Sequence, residues 1–86
     1  MTSFDVEFSA TAERQLRKLP RSDQVRVLGA VAELAAEPRP RGARKLRGHS
    51  DVYRIRVGVF RVLYAVESHR LLVLVLKIGH RRDVYR

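Results

Sequence analysis

The sequence predicts an α+β domain in which two helices pack on one face of a twisted β-sheet. Three observations predict it: a strand-like alternation near the start, two amphipathic helix patterns before residue 37, and three strand patterns in the second half. A chain of 86 residues buries enough apolar surface for one hydrophobic core. We therefore expect a single domain over residues 1–86, with an N-terminal strand, a two-helix antiparallel hairpin and a three-strand antiparallel meander.

The first strand is predicted in "SFDVEFS", where three apolar residues alternate with two acidic ones. This period of two is typical of a strand with one face on a core. Ser9 is a favourable N-cap, so the first helix is expected from about Ala10 to Leu19, and Pro20 ends it.

A second helix is expected to begin at Ser22 and Asp23 and to end at "EPRPRG". Its apolar residues recur at three- and four-residue spacing, which is typical of one buried helix face. Those expected to face the core are Val25, Leu28, Val31 or Ala32, and Leu34 or Ala35. Because the turn between the helices is short, the two should run antiparallel.

The segment "VYRIRVGVFRVLYAV" predicts a β-hairpin with Gly58 and Val59 in the turn. The resulting register pairs Val57 with Phe60, Ile55 with Val62, and Tyr53 with Tyr64. Every large apolar side chain then falls on one face, and a slip of one residue would scatter them. The next segment, "RLLVLVLKI", is apolar on both faces and is expected to be an interior strand.

The same register places Arg54 and Arg56 on the opposite face, with Arg61 directly across from Arg56. Like charges at opposed positions destabilise a sheet by about 0.2–1 kcal/mol. A bound anion between the guanidinium groups would offset that repulsion. The alternative is that these arginines are solvated on an exposed face.

The sequence after the last strand is "HRRDVYR". Arg81 and Arg82 can reach the rim of the arginine cluster, and Tyr85 follows within a turn. An aromatic ring beside arginines suits an unstacked RNA base, because stacking contributes about 1–3 kcal/mol per base while the arginines hold the phosphates. The alternative is a tyrosine that covers the edge of the core.

The net charge of +9 is concentrated in the second half of the chain. Residues 1–43 carry seven Lys/Arg and six Asp/Glu, whereas residues 44–86 carry eleven and three. A cationic half attracts polyanions, so nucleic acid is the first partner to consider. Lys45 and Arg47, in "ARKLRGHSD", are candidates to extend an RNA-binding surface.

Several other functions are disfavoured by composition. The chain has no cysteine, its three histidines are scattered, and it lacks a glycine-rich phosphate loop, so neither a metal site nor a cofactor is expected. The first twenty residues lack the apolar core of a signal peptide. The longest apolar stretch, Leu71 to Leu76, is far shorter than the roughly 20 residues that span a bilayer. We expect a cytoplasmic protein with no membrane partner.

Four segments together resemble the RelE/ParE superfamily of bacterial toxins, particularly its RelE-type members. They are "ERQLRKLP", "KLRG", "YRIRVGVFRVLYAV" and "LLVLVLKIGHRRDVYR", and the likeness extends over essentially the whole chain. The resemblance implies a toxin that enters the A site of the 30S ribosomal subunit and cuts mRNA. It also implies an acidic antitoxin that holds the toxin inactive, in a complex that binds operator DNA through the antitoxin.

The resemblance further implies a metal-independent endoribonuclease in which the ribose 2′-hydroxyl attacks the adjacent phosphate. Carried over by position, the site residues are Arg54, Arg56, Arg61, Arg81 and Tyr85. Arg61 and Arg81 would stabilise the phosphate in the transition state, Arg81 is also a candidate proton donor, and Tyr85 would stack on the base.

This chain departs from better-known members, which place lysines where it has Arg54 and Arg56. A guanidinium group with a pKa above 12 is a poor general base, so His80 becomes a candidate acid or base. The main alternative function is that of a ParE-like inhibitor of DNA gyrase, although such chains generally lack the full arginine and tyrosine set. A non-catalytic RNA-binding module is a third possibility.

Overall fold

The computed structural model describes residues 3–80 and confirms the α+β class. Its elements are β1 (Asp5–Phe8), α1 (Ala10–Arg17), α2 (Arg21–Ala36), β2 (Arg44–Lys45), β3 (Val52–Val57), β4 (Phe60–Glu67), a 3₁₀ turn (Ser68–Arg70) and β5 (Leu72–His80). The strands form one sheet in the order β1-β5-β4-β3-β2. The C-terminal residues 81–86, which include Arg81, Arg82 and Tyr85, lie outside the described part of the chain.

The sheet is mixed and five-stranded, so the predicted three-strand meander forms only its centre. β3, β4 and β5 pair antiparallel as expected, and β5 is interior. β1 runs parallel to β5 at one edge, and the two-residue β2 adds an antiparallel edge beside β3. β2 was not predicted, because two basic residues carry no hydrophobic alternation.

The hairpin of β3 and β4 has the predicted register. Val57 pairs with Phe60 and Arg56 with Arg61. Gly58 takes a positive φ of 61° at the first turn position, which is the geometry of a type II′ turn and favours glycine. Opposite β5, a bulge between Leu63 and Tyr64 shifts the register by one residue.

The hydrophobic core lies between the helices and one face of the sheet, which we call the helix-covered face. Its buried residues are Ala12, Val27, Val31, Leu34, Ile55, Val57, Val62, Tyr64, Val66, Val73, Val75 and Ile78. Phe4, Val6 and Phe8 pack against this cluster, as the alternation in "SFDVEFS" predicted.

The buried face of α2 differs from the predicted one. Val25 and Leu28 are 60% and 42% exposed, whereas Val27, Val31 and Leu34 are buried. The prediction for Val25 and Leu28 was therefore wrong. Apolar residues occur on two sides of this helix, so periodicity alone does not decide which side faces the sheet.

The helix boundaries lie within two residues of the predicted ones. The hydroxyl of Ser9 accepts a hydrogen bond from the Ala12 amide (3.0 Å), so Ser9 is the N-cap as expected. α1 ends at Arg17 rather than Leu19, and α2 begins at Arg21, directly after Pro20.

Candidate nucleic-acid interface

The sheet face opposite the helices carries a cluster of cationic side chains, which we call the basic face. Side chains at directly opposed positions of antiparallel strands lie on the same side of the sheet. One row across the sheet joins Arg44, Arg54, Leu63 and Lys77, and the next joins Arg56, Arg61 and Gly79. The basic face therefore contains Arg44, Arg54, Arg56, Arg61 and Lys77.

The centre of the basic face is the cross-strand pair of Arg56 and Arg61. Arg56 is exposed, whereas Arg61 is half-buried. Gly79 is the partner of Arg61 on β5 and carries no side chain. The strand register places Arg54, Arg56 and Arg61 on one face of the sheet, as the sequence predicted.

The opposite corner of the same face is acidic. Asp5 and Glu7 on β1 pair with Leu72 and Leu74 of β5, and Glu67 pairs with Leu72 from the other side. The positive charge is therefore concentrated toward the β2–β3 edge and the hairpin turn. A polyanion that approaches the basic face is therefore attracted toward the β2–β3 edge and the hairpin turn.

β5 ends beside the hairpin turn. His80 pairs with Phe60, and their rings meet edge-on with centroids 6.4 Å apart. This register puts His80 on the same side as Val62 and Ile78, which is the helix-covered face, and not among the arginines. Arg81 follows His80 directly in the chain, but lies outside the described residues, as do Arg82 and Tyr85.

Lys45 and Arg47 are not brought to the basic face. Lys45 pairs with Tyr53 and so lies on the helix-covered side, and Arg47 lies in an exposed turn after β2. The neighbour Arg44 occupies the basic face instead. Arg44 and Lys77 were not predicted as site residues. Alternation shows which face of the sheet a residue lies on only when its strand and register are known.

A polar cluster around Arg39 fixes the segment between α2 and β2. Arg39 Nε donates to Tyr53 Oη (2.9 Å), and Arg39 Nη2 donates to Ser68 Oγ (3.1 Å). Asp51 lies 3.5 Å from the same guanidinium group. The hydrogen bond with Tyr53 is the main reason that the pKa of Arg39 is raised. The cluster ties the segment that precedes β2 to the body of the sheet.

Tyr64 anchors the same segment from inside the core. Its hydroxyl donates to the Pro38 carbonyl at 2.7 Å, and its ring stacks on Tyr53 with centroids 5.9 Å apart. Burial, with a smaller contribution from Tyr53, raises the pKa of Tyr64 to about 12. The phenol is therefore neutral at physiological pH, and it positions the chain that leads to Arg44.

Within residues 3–80, no group of three or more His, Asp or Glu side chains is arranged to hold a metal ion. Neither α1 nor α2 is long and apolar enough to cross a bilayer. The chemistry available on the described part of the basic face is that of fixed cations. Guanidinium groups bind phosphate oxygens through paired hydrogen bonds and retain their charge at any physiological pH.

The sequence and the fold are similar to those of known toxins. The family model described as the ParE toxin of the type II toxin–antitoxin system parDE matches residues 6–85. The chain belongs to this family of toxins, within the RelE/ParE superfamily, and is RelE-like.

Individual relatives agree with the family assignment. The chain is 35% identical to Toxin RelG from Mycobacterium tuberculosis, over 96% of this chain and 97% of that one. Its fold is similar to a chain of the toxin–antitoxin complex RelBE2 from M. tuberculosis, with a TM-score of 0.83, 32% identity, and 96% and 97% of the two chains covered. It is equally similar to a chain of the archaeal RelE–RelB complex from Pyrococcus horikoshii, with a TM-score of 0.83, 31% identity, and 98% and 100% covered.

Proposed function

We propose that this toxin is a cytoplasmic, ribosome-dependent endoribonuclease that cuts mRNA in the A site of the 30S subunit. The observation that carries the proposal is the placement of Arg54, Arg56 and Arg61 on one face, beside the point where β5 ends at His80. Arg81 follows His80 directly in the sequence, and we assign its guanidinium group to the same site. Three or four guanidinium groups around one phosphodiester supply the positive charge that its cleavage requires.

The proposed reaction is an attack by the ribose 2′-oxygen on the adjacent phosphorus. The new bond joins the 2′-oxygen to phosphorus, and the bond from phosphorus to the 5′-oxygen of the next nucleotide breaks. The proton of the 2′-hydroxyl passes to solvent water, and the 5′-oxygen receives a proton from Arg81, which regains one from water. The products are a 2′,3′-cyclic phosphate and a 5′-hydroxyl.

We assign the cationic side chains to the phosphate. Arg61 and Arg81 stabilise the charge that develops on the non-bridging oxygens, and Arg81 delivers the proton to the leaving oxygen. Arg54 and Arg56 hold the flanking phosphates on the same face, and Tyr85 stacks on the base.

No strong general base is assigned. A charged guanidinium group has no lone pair with which to accept a proton, and the strand register places His80 on the helix-covered face. The rate must then depend on how the ribosome orients the 2′-hydroxyl toward phosphorus. The purified toxin should accordingly be nearly inert toward free RNA and active toward mRNA on the ribosome.

Mapping of transcript 5′ ends after induction of the toxin tests this proposal. Cleavage in the A site gives new ends that follow the codon period within translated regions. Growth arrest with intact mRNA would contradict it.

Inhibition of DNA gyrase is the second candidate, and the description of the matching family as ParE toxins favours it. Gyrase poisoning would produce DNA breaks while mRNA stays intact. The same induction experiment, with chromosomal DNA analysed in parallel, distinguishes the two functions.

An acidic antitoxin is the proposed partner in the cell. The structural neighbours include complexes described as toxin–antitoxin complexes, and the second half of the chain is strongly cationic. A disordered acidic segment that folds on the toxin would neutralise this charge. We further propose that the antitoxin has a DNA-binding part through which the complex binds operator DNA. A pull-down from the native organism that yields no acidic binder would contradict this.

A further inference from the structure

A cavity of about 630 Å³ lies between α2 and the outer edge of β3. Cavities of this size are typical of small-molecule sites. Glu33 and Glu37 line the side formed by the end of α2, and Arg44, Arg54 and Arg56 line the side formed by the sheet. The cavity therefore has an acidic side and a basic side.

The acidic and basic groups of the cavity do not neutralise each other. Among residues 3–80, neither Glu33 nor Glu37 forms an ion pair with an arginine. Glu37 accepts one long hydrogen bond, from the Arg39 amide at 3.4 Å, whereas the Glu33 carboxylate accepts none from a described residue. Both carboxylates are exposed, so a ligand in the cavity can donate hydrogen bonds to Glu33.

The two carboxylates occupy an electrostatically unfavourable end of α2. Glu33 lies in the last turn and Glu37 is the C-cap, where the helix dipole places partial negative charge. The last turn holds no basic residue, and like charges four residues apart on a helix repel each other. A ligand that donates hydrogen bonds to these carboxylates would offset both costs.

We propose that this cavity binds one guanine nucleotide of the RNA, with the base against Glu33 and the phosphate at Arg44 and Arg56. The inference rests on the proposed function, in which Arg54 and Arg56 hold phosphates beside the cleaved bond. In the sheet order, β4 separates β3 from β5. The guanine therefore lies on the β3 side of the cleaved phosphate, and the cavity selects RNA by a base that flanks the reaction.

The choice of guanine follows from the hydrogen-bonding groups of the bases. A carboxylate has two acceptor oxygens and no donor. Guanine presents two adjacent donors on its Watson–Crick edge, N1–H and N2–H, and can donate to both oxygens at once. Adenine and cytosine each have a ring acceptor beside the amine, and uracil has carbonyl oxygens on both sides of its one donor. Guanine alone among these bases meets a carboxylate without a repulsive contact.

Other ligands fit the two sides of the cavity less well. An anion without hydrogen-bond donors would be attracted by Arg44 and repelled by Glu33. A cation would meet the reverse conflict. A guanine nucleotide carries its negative charge and its paired donors at opposite ends, as the cavity requires. Leu34 and Ile55 line the same cavity and provide apolar contact for the faces of the base.

Titration of the full-length toxin with mononucleotides, followed by amide chemical shifts, tests the proposal. The probes are GMP, IMP and AMP, which carry the same phosphate; IMP differs from GMP only by the loss of the 2-amino group. GMP should shift the amides of Ala30 and Gly42, which line the cavity. It should bind about fivefold or more tightly than IMP and about tenfold or more tightly than AMP, because each loses a hydrogen bond to a charged group.

Glu33→Gln should change the base preference. Glutamine offers one donor and one acceptor, which match the ring nitrogen and the amine of adenine. The variant should therefore lose at least about tenfold in affinity for GMP and bind AMP at least as tightly as GMP. Glu7→Gln, an exposed site at the acidic corner of the sheet, is the matched control and should keep the wild-type preference.

Equal affinities of the three nucleotides would overturn the proposal, because the arginines would then bind the phosphate without contact to the base. An unchanged preference for GMP in Glu33→Gln, or GMP-induced shifts remote from Ala30 and Gly42, would also overturn it. Mononucleotides contain no phosphodiester to cleave and the assay contains no ribosomes, so loss of the nuclease proposal would leave a base preference intact. Cleavage of mRNA by a toxin that shows no preference for GMP would support the proposed function and overturn this inference alone.

Discussion

The two faces of the sheet differ in the interactions that dominate them. On the helix-covered face, Val62, Val73 and Val75 are fully buried, and burial of apolar surface stabilises the fold. On the basic face, Arg56 and Arg61 oppose each other at a cost in stability. One face therefore holds the structure together, while the other keeps unfavourable charge in a fixed arrangement. The comparison predicts that substitutions on the two faces separate stability from activity.

The largest expected effect is loss of toxicity on the basic face. Arg61→Ala and Arg81→Ala should each lower the rate of mRNA cleavage by about 100-fold or more, because each removes a group that stabilises transition-state charge. Both variants should abolish growth arrest and retain the wild-type circular dichroism spectrum. Arg14→Ala, at an exposed position of α1, is the control and should remain toxic. Retained toxicity in both test variants would overturn the assignment.

A large loss of stability is expected on the helix-covered face. Leu34→Ala should lower the free energy of unfolding by about 2–5 kcal/mol, since it leaves a cavity at a side chain that is 1% exposed. Leu28→Ala, on the same helix at 42% exposure, should cost less than about 1 kcal/mol. Denaturant unfolding measures both. Equal losses would show that the buried face of α2 is wrongly placed.

A smaller and pH-dependent effect is expected at Tyr64. Tyr64→Phe removes the hydrogen bond to the Pro38 carbonyl and should cost about 1 kcal/mol at neutral pH. The pKa of this phenol rises from 10.0 to about 12 on folding. Between these values the unfolded chain releases the proton and the folded one keeps it, so stability falls as pH rises from 10 to 12. The Tyr64→Phe variant should lack the part of the alkaline loss of stability that comes from ionisation of Tyr64. If the stability of the variant and of the wild type fell equally between pH 10 and 12, the raised pKa of Tyr64 would be contradicted.

The smallest effect is a gain in stability on the basic face. Arg56→Gln removes one of two opposed positive charges and should stabilise the fold by about 0.2–1 kcal/mol at low salt. The gain should shrink as salt screens the repulsion. Thermal unfolding at low and high salt measures both. A loss of stability would show that the Arg56–Arg61 pair is not strained in the free protein.

The hairpin and its arginines were predictable because alternation and one glycine define the register. Gly58 marks the turn, and the register then follows for the paired positions out to Tyr53 and Tyr64. Only one pairing places all the large apolar residues on one side. The opposition of Arg56 and Arg61 is a direct consequence of that pairing.

Other features depend on contacts that no local pattern encodes. The position of β1 beside β5 and the addition of β2 are set by tertiary packing. The facing of α2 was mispredicted at Val25 and Leu28, because the helix has apolar residues on two sides. The Arg39 cluster joins residues up to 29 positions apart in the chain. Arg44 and Lys77 joined the candidate site only when the strand pairs were known.

The most direct test of the central claim is cleavage of mRNA in purified ribosome complexes with an empty A site. Wild-type toxin should cut within the A-site codon and leave a 2′,3′-cyclic phosphate, and Arg61→Ala should do so at least about 100-fold more slowly. Intact mRNA with folded wild-type toxin, together with inhibition of gyrase supercoiling by the same preparation, would contradict the account.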